Sequence, residues 1–394
     1  MLMTLIHIID YIFYVALSFS CLYLLFFSIL SMKRNSKIYG QETPLRRYLV
    51  LFPAYKEDAV IFSSAESFLK QSYQKEYYDV IVLSDKMRAE TNKALRELDI
   101  EVLEVHFEQS SKAKTLAYAM EIYGNHPYDA VIIMDADNIV NTDFLSSVTC
   151  AYNSGYKAIQ AHRTAKNTDT SISILDGVSE EINNSIFRKG FSRVGLSATL
   201  SGSGMVFDFD WFKNHIHLSS SSGEDKEFEA MLLKEGIHIE YLENVLVYDE
   251  KISQTGTFYN QRRRWLAAQY GTLMSCLKDI PSALSSGNMD YLNKILQWMM
   301  LPRIMLIGLV CLFTFAWSIG NVIVSAKWWI LLFILSLALL LAIPRKLYNA
   351  SLLKALWRIP VLFFLMLFNF FRLRGAYKNF IHTKHKEDSS SENK

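Results

Sequence analysis

The chain has 394 residues, of which 51% are apolar and 20% charged, with a formal net charge of +2. That length holds one sizeable α/β domain plus membrane segments, and the near-balance of charge, without a dense basic stripe or interleaved aromatics, excludes a nucleic-acid binder. Four scattered cysteines, Cys21, Cys150, Cys276 and Cys311, lack zinc-like spacing and read as core-filling thiols.

Residues 1–32 contain one acid, Asp10, one histidine and no basic residue before Lys33, and the apolar run at 11–30 is long enough to cross a bilayer. The basic start, shorter apolar core and small-residue cleavage site of a signal peptide are missing, so the segment is predicted to be an uncleaved anchor. From 45 to 250, short apolar strands at 48–52, 80–83, 102–105 and 131–134 alternate with helical patterns near 59–71, 91–98 and 112–122. This alternation predicts an α/β fold with a mostly parallel, Rossmann-like sheet and helices on both faces. A helix at about 171–188, a strand at 205–209 and a helix at 228–234 follow, without an internal repeat.

Two further apolar stretches, 298–319 and 327–343, are separated by a loop short enough to turn a helical hairpin. A third, 359–371, has only 13 residues behind Lys354 and Arg358, which suits an interfacial or re-entrant helix. Basic residues set the orientation. Lys33, Arg34, Lys37, Arg46 and Arg47 follow the first span, Arg345 and Lys346 the third, and Arg372, Arg374 and Lys378 the short segment. With basic flanks inside, three crossings put residues 33–297 and the tail in the cytoplasm. The predicted organisation is an anchor at 1–32, a catalytic domain at 33–255, an interfacial amphipathic segment at 256–297, transmembrane or re-entrant helices at 298–372 and a cytoplasmic tail at 373–394. The polar stretch 384–394, with three consecutive serines, is predicted disordered.

Chemistry concentrates in four places. Asp135 and Asp137 stand directly behind an apolar strand, which delivers both carboxylates to the edge where open α/β sheets bind ligands. Paired carboxylates form a hard oxygen site suited to Mg²⁺ or Mn²⁺ shared with nucleotide phosphates. Gly223-Glu224-Asp225 opens a helix, where acids commonly just complement the helix dipole. Gln261-Arg262-Arg263-Arg264-Trp265 precedes the membrane, a place where arginines also meet anionic lipid heads. Lys112, at a strand-to-helix junction, reaches a phosphate or faces water. The first strand is expected to end before Pro53-Ala54-Tyr55, in a loop on the same edge as Asp135. Gly202-Ser203-Gly204 reads equally as a plain turn or as a close backbone approach to a ligand. No Gly-x-Gly-x-x-Gly follows the first strand and no Walker sequence occurs, which disfavours dinucleotide enzymes and P-loop NTPases.

D-x-D, E-D and Q-x-x-R-W, in this order and flanked by membrane helices, make the chain resemble the membrane-integrated family 2 glycosyltransferases, the group with cellulose, chitin, hyaluronan and poly-N-acetylglucosamine synthases. The likeness covers essentially the whole chain and implies a GT-A-type fold. By that resemblance Asp137, with Asp135, holds the divalent metal on the donor diphosphate. Asp225, beside Glu224, is the general base. Gln261, Arg264 and Lys112 address the diphosphate, and Trp265 stacks on the acceptor sugar near Gly202, Ser203 and Gly204. Pro53, Ala54 and Tyr55 match the first nucleotide-binding loop. One site departs from the pattern: relatives often carry two aspartates and a glycine after the second strand, whereas here Ser84-Asp85-Lys86 leaves Asp85 alone to contact uracil or ribose. The segment 380–385 resembles a post-membrane stretch of bacterial relatives and is assigned no chemistry.

The implied reaction is inverting, metal-dependent sugar transfer from a nucleotide sugar, with a UDP-linked donor expected, to a growing polysaccharide at the cytoplasmic membrane face, with an accessory export subunit or a homo-oligomer completing the channel. Single addition to a lipid or lipid-linked acceptor is the alternative, because three crossings are few for a polymer channel. A nucleotide-sensing membrane protein without catalysis and a metal-dependent phosphoryl or nucleotidyl transferase are rivals of other classes, the latter weakened by the absent P-loop and by Trp265.

Overall fold

A computed structural model describes residues 2–33, 37–219, 221, 223–253 and 255–371. Arg34, Ser220, Ser222 and the tail, including Arg372, Arg374, Lys378 and the 380–385 segment, lie outside the described residues.

After the first helix, α1 (Leu2–Ser31), the expected alternation runs β1 (Tyr48–Tyr55), α2 (Ile61–Phe68), β2 (Tyr78–Asp85), α3 (Ala89–Arg96), β3 (Glu101–Val105), α4 (Lys112–Tyr123), β4 (Ala130–Ile133), β5 (Ile139–Val140), α5 (Phe144–Asn153) and β6 (Ala158–Ala165). Next come α6 (Ser171–Asn183), which continues through a π-helical turn at Asn184–Gly190, then β7 (Met205–Asp208), α7 (Phe209–His215), α8 (Glu224–Lys234) and β8 (Ile239–Asp249). Among the described residues the strands form one sheet in the order β3-β2-β1-β4-β7-β6-β8-β5. Pairs β1·β2, β2·β3, β1·β4 and β6·β8 are parallel, whereas β4·β7, β6·β7 and β5·β8 are antiparallel. The fold is thus the predicted mostly parallel sheet with helices on both faces.

β1 and β4, at the middle of the sheet, carry no charged or amide side chain because both faces are covered. Tyr48, Val50, Phe52 and Ala54 of β1 pack toward α2 and α5, and Leu49 and Leu51 toward α4 and α8. Strand order reverses between β1, which continues toward β2, and β4, and this switch opens a crevice at the carboxyl ends. β1 is longer than expected, taking in Pro53, Ala54 and Tyr55, which pair with Leu83, Ser84 and Asp85. Proline is tolerated there because pairing with β4 ends at Leu51, so β1 has become an edge on that side. The helix expected at 59–71 is shorter, Ile61–Phe68.

The remaining helices are α9 (Thr255–Cys276), α10 (Ile280–Ser285), α11 (Met289–Met299), α12 (Arg303–Gly320), α13 (Val322–Ala342), α14 (Ala350–Leu356) and α15 (Ile359–Phe371). Three stretches, Met3–Ser31, Arg303–Gly320 and Val322–Ala342, are long and apolar enough to cross a membrane, and the pair α14 and α15, bent by 45°, is a fourth candidate. Two boundaries differ from expectation. Trp298 belongs to α11 and is buried in the core beneath the sheet, so the second span starts only after Pro302, at Arg303. The loop before the third span shrinks to Asn321, whose side chain accepts hydrogen bonds from the Ile323 and Val324 amides, and α13 starts before Lys327. Lys327 is tolerated within that apolar helix because it pairs with Asp10 of α1, which also accepts a 2.8 Å hydrogen bond from the Trp328 indole.

Residues of α6, of its π-helical turn and of the position just after it pack on the apolar helices: Val178, Ile182, Ile186 and Phe191 share a core with Leu24, Phe27, Leu306 and Leu335. The opposite face of α6 is polar. Glu181 accepts from Thr164 at 2.6 Å and faces His162 at 3.1 Å. Burial alone would raise its carboxyl, but His162, Thr164 and Asn184 reverse this and hold it down to about 2, against an ordinary 4.5. While His162 carries its proton, stability from Glu181 is therefore present above about pH 4.5 and lost as the pH falls through about 2. Glu181→Gln is expected to cost on the order of 2 kcal/mol near neutral pH and to flatten the acid side of the stability curve. Thermal unfolding of the two proteins between pH 7 and pH 3 measures both effects.

Candidate active site

A cavity of about 830 Å³ opens at the carboxyl ends of β1, β2 and β4 and runs on between the apolar helices. Its polar end is lined by Pro53, Ala54 and Tyr55 of β1, Asp85 of β2, Lys112 of α4, Asp135 and Asp137 after β4, and Gly202 before β7. Glu224 and Asp225 of α8 and Gln261, Arg264 and Trp265 of α9 close it. Of the residues expected at the site, Ser203 and Gly204 are the two that do not line the cavity; both are buried beneath it.

The loop after β4 is fixed by Asn138. Its carboxamide oxygen accepts from the Asp135 amide at 3.0 Å and from the Ser203 hydroxyl, while its nitrogen donates to Asp137 at 3.1 Å and Asp249 at 3.4 Å. The Glu250 amide donates to the other Asp137 oxygen at 2.8 Å. Asp249 is in turn clasped by Arg163 at 2.6 Å and Lys251 at 2.8 Å; burial opposes its charge, but these two cations hold its carboxyl below the ordinary range. Ser203 and Gly204 therefore serve as scaffold. Gly204 has a φ of 61° and faces Val247 so closely that a Cβ would stand 2.8 Å from its side chain.

Lys112 sits at the centre of the charged wall. Its ammonium lies 2.6 Å from Asp135, 2.6 Å from the Gly202 carbonyl and 3.6 Å from Glu224. Burial disfavours that charge, yet Asp135 and Glu224 raise the group above an ordinary lysine. Glu224 is pushed up, first by burial and then by Asp225, with Lys112 opposing. Burial lowers Arg264, while Glu224, Asp135 and Asp225 support its charge. Burial also raises the Asp85 carboxyl, opposed by Ser110 and Lys86.

α9 reaches this wall because Gly223 has no side chain: a Cβ there would meet that of Ala268 at 2.3 Å. Gln261, Arg264, Trp265 and Ala268 follow the i, i+3, i+4, i+7 spacing of one helical face. Arg262 turns toward α6, where it pairs with Asp176, and its guanidinium lies 4.5 Å from the Trp265 ring centre.

Beneath Asp225 lies a buried ionic floor that motif reading does not find. Lys294 of α11 donates to Glu229 at 3.0 Å and Thr199 at 2.8 Å, and Glu229 accepts from the Leu200 amide at 2.9 Å. Lys226 contacts Asp225 at 3.3 Å and the Leu200 carbonyl at 3.3 Å. These groups come from segments far apart in sequence, and only Asn138, directly behind the D-x-D pair, carries a local signal.

Among the described residues no group of three or more His, Cys, Asp or Glu side chains is placed to hold a metal ion. Asp135 and Asp137 present hard carboxylate oxygens to the cavity, a donor set that fits Mg²⁺ or Mn²⁺ when ligand phosphates supply further oxygens.

The family model described as glycosyltransferase like family 2 matches residues 46–268. No curated protein matches the chain. Among solved structures, the mannosyltransferase PcManGT from Pyrobaculum calidifontis, in complex with GDP-Man and Mn²⁺, has a TM-score of 0.53 at 15% identity, covering 84% of this chain and 96% of that one. TarS 1-349 from S. aureus, in complex with UDP-GlcNAc, has a TM-score of 0.42 at 14% identity, covering 84% and 90%. The likeness to PcManGT is one of fold, and the sheet is of the GT-A type.

Removing the buried ammonium with Lys294→Met leaves Glu229 with only the more distant Lys226, at 3.8 Å. The expected loss of stability is about 3–5 kcal/mol, measured as a fall in the unfolding midpoint, with Lys294→Arg recovering part of it.

Proposed function

The chain belongs to the glycosyltransferase-like family 2, whose model spans more than half of it, and from that premise we propose that it transfers a sugar, with inversion, from a nucleotide-sugar donor to an acceptor at the cytoplasmic face of a membrane. One observation carries this reading: the D-x-D, E-D and Q-x-x-R-W residues, far apart in sequence, face a single cavity that continues among the apolar helices.

In the proposed reaction Pro53, Ala54, Tyr55 and Asp85 hold the nucleoside, with a uridine donor expected. Asp135 and Asp137 would hold Mg²⁺ or Mn²⁺, which supplies positive charge to the diphosphate when bound. Lys112 and Arg264 add fixed cations on the leaving-group side, in a site where burial strengthens their field. Gln261 donates toward the same diphosphate. Trp265 offers its ring face to the acceptor sugar. Asp225 accepts the proton of the acceptor hydroxyl as that oxygen bonds to the anomeric carbon. The bond from the same carbon to the diphosphate breaks, and its electron pair departs with the nucleoside diphosphate. Attack opposite the leaving group inverts the anomeric configuration through an oxocarbenium-like transition state. Glu224, 3.6 Å from Lys112, keeps that ammonium turned toward the cleft.

The resemblance favours a growing polysaccharide as acceptor, with an export partner or a second copy completing the channel. A specific observation favours the other reading, addition to a lipid-linked acceptor. Beyond Trp265 the cavity wall is chiefly aliphatic, with Ile307, Leu335, Leu339, Leu362 and Met366, and it offers few partners to a chain of hydroxyls. Membrane residence and the cytoplasmic position of the domain rest on the three apolar helices and on the basic residues that flank them.

Asp225→Asn is expected to reduce transfer at least about 100-fold while leaving donor affinity unchanged. A panel of radiolabelled UDP- and GDP-sugars with Mn²⁺ measures both quantities, and near-normal turnover of the variant removes Asp225 from the role of base. Asp137→Asn is expected to weaken donor binding in Mn²⁺ and to leave metal-free binding unaltered. Calorimetric titration of nucleotide with and without Mn²⁺ tests this, and equal losses under both conditions remove Asp137 as a metal ligand.

A further inference from the structure

At the junction between the charged end of the cavity and its aliphatic arm stands Arg303, the first residue of α12. Its Nη2 donates to the backbone and hydroxyl oxygens of Ser179 at 2.8 and 2.9 Å. Its Nη1 is buried and meets no hydrogen-bond partner among the described residues. The charged groups around it are Arg262, Glu180 and Arg188. Both nearby acids are engaged elsewhere: Glu180 pairs with Arg188 at 2.8 Å, and Asp176 pairs with Arg262. Three guanidiniums thus face two carboxylates, and Arg303 is the one of the three that is paired with neither. A buried guanidinium in this condition is costly unless an anion meets it.

The groups on either side narrow the anion's identity. Toward the sheet, Arg262 lies against the Trp265 ring, and Asp225 shares the same cavity. Toward the membrane the walls are Ile304, Ile307, Leu335, Leu339, Leu362 and Met366. Read in order, the cavity offers a carboxylate, an aromatic face, a cation and an aliphatic trough. We propose that the acceptor is a lipid-linked sugar in which a phosphate joins the sugar to an alkyl chain, and that Arg303 binds this phosphate. The sugar then lies on Trp265 with a hydroxyl toward Asp225, and the chain occupies the trough. This deepens the lipid-linked reading above and rests on it. Arg303 is a specificity-determining residue: Ser179 fixes the guanidinium through Nη2 and leaves Nη1 to donate to a phosphate oxygen, a division of donors that an ammonium could not reproduce.

The test uses the full chain in neutral maltoside micelles and two probes with the same tail and sugar: glucose joined to dodecanol through a phosphodiester, and dodecyl glucoside. The wild type is expected to bind the phosphodiester roughly tenfold more tightly. Arg303→Gln should erase that preference while the affinities for UDP and GDP with Mn²⁺ stay unchanged, which also reports that the variant is folded. Arg303→Lys, which keeps the charge and loses the fork, should retain only part of the preference and serves alone if Arg303→Gln does not fold. Equal binding of both probes by the wild type overturns the proposal. A parallel loss of nucleotide affinity in either variant also overturns it, because Arg303 then belongs to the donor diphosphate. If the preference holds but no labelled donor yields incorporated sugar, the phosphate site stands and the transfer reading falls.

Discussion

Everything at the polar end of the cavity depends on the Lys112 ammonium. It joins the first turn of α4, the loop after β4, the turn before β7 and the first turn of α8 through Asp135, the Gly202 carbonyl and Glu224. Asp135, Glu224 and Asp225 are mutually repulsive acids from two distant segments, and without a cation between them burial would drive some to take up protons. The raised carboxyl of Glu224 shows that pressure, and Lys112 and Arg264 limit it. One lysine therefore ties together the segments that carry the acids and supports the charge of Glu224.

Much of this was legible in the sequence, for identifiable reasons. Asp135 and Asp137 could be placed because an apolar strand ends at a known edge, and Gln261, Arg264 and Trp265 because helical spacing puts them on one face. What stayed hidden were the groups that position them. Arg163, Asp249 and Lys251 meet across β6 and the end of β8, and Lys294 meets Glu229 from another helix. No period or motif marks a partner met only through tertiary packing. Pro53 misled in a simpler way, since a proline reads as the end of a strand unless it is known that β4 has stopped pairing two residues earlier. Trp298 misled because an indole and the methionines after it continue the apolar pattern of the following span, although Pro302 separates them.

The apolar helices are fitted to the domain by polar contacts as well as by apolar packing. Asp10 and Lys327 pair between α1 and α13, a contact that is costly to break in an apolar setting and that fixes the two helices in register. Ser179 of α6 holds Arg303 at the head of α12, and Gln269 of α9 donates to the Trp298 carbonyl at 2.9 Å. Through these contacts α6 and α9, which carry the cavity walls, also carry the helices that extend the cavity into the apolar layer. The position of the cleft relative to the apolar helices is therefore built into the same elements that place Trp265 and Arg264.

A floor of buried ion pairs is an expensive way to make a domain stable, because apolar residues of similar volume often do as well or better. Its value here is geometric. Lys294, Glu229 and Thr199 hold the Leu200 amide, and Leu200 leads to Gly202, whose carbonyl receives Lys112. A leucine in place of Glu229 would fill the space but would not fix the backbone amide, and the error would pass along the turn to Lys112. Sugar transfer needs its fixed charges in place before the leaving group develops its own, since dipoles that reorganise during the reaction forfeit much of their effect. The ionic floor supplies that rigidity on the protein side of the site. On the side of the apolar helices, where Arg303 keeps one donor without a partner, the same logic is left incomplete, and the proposed phosphate would complete it.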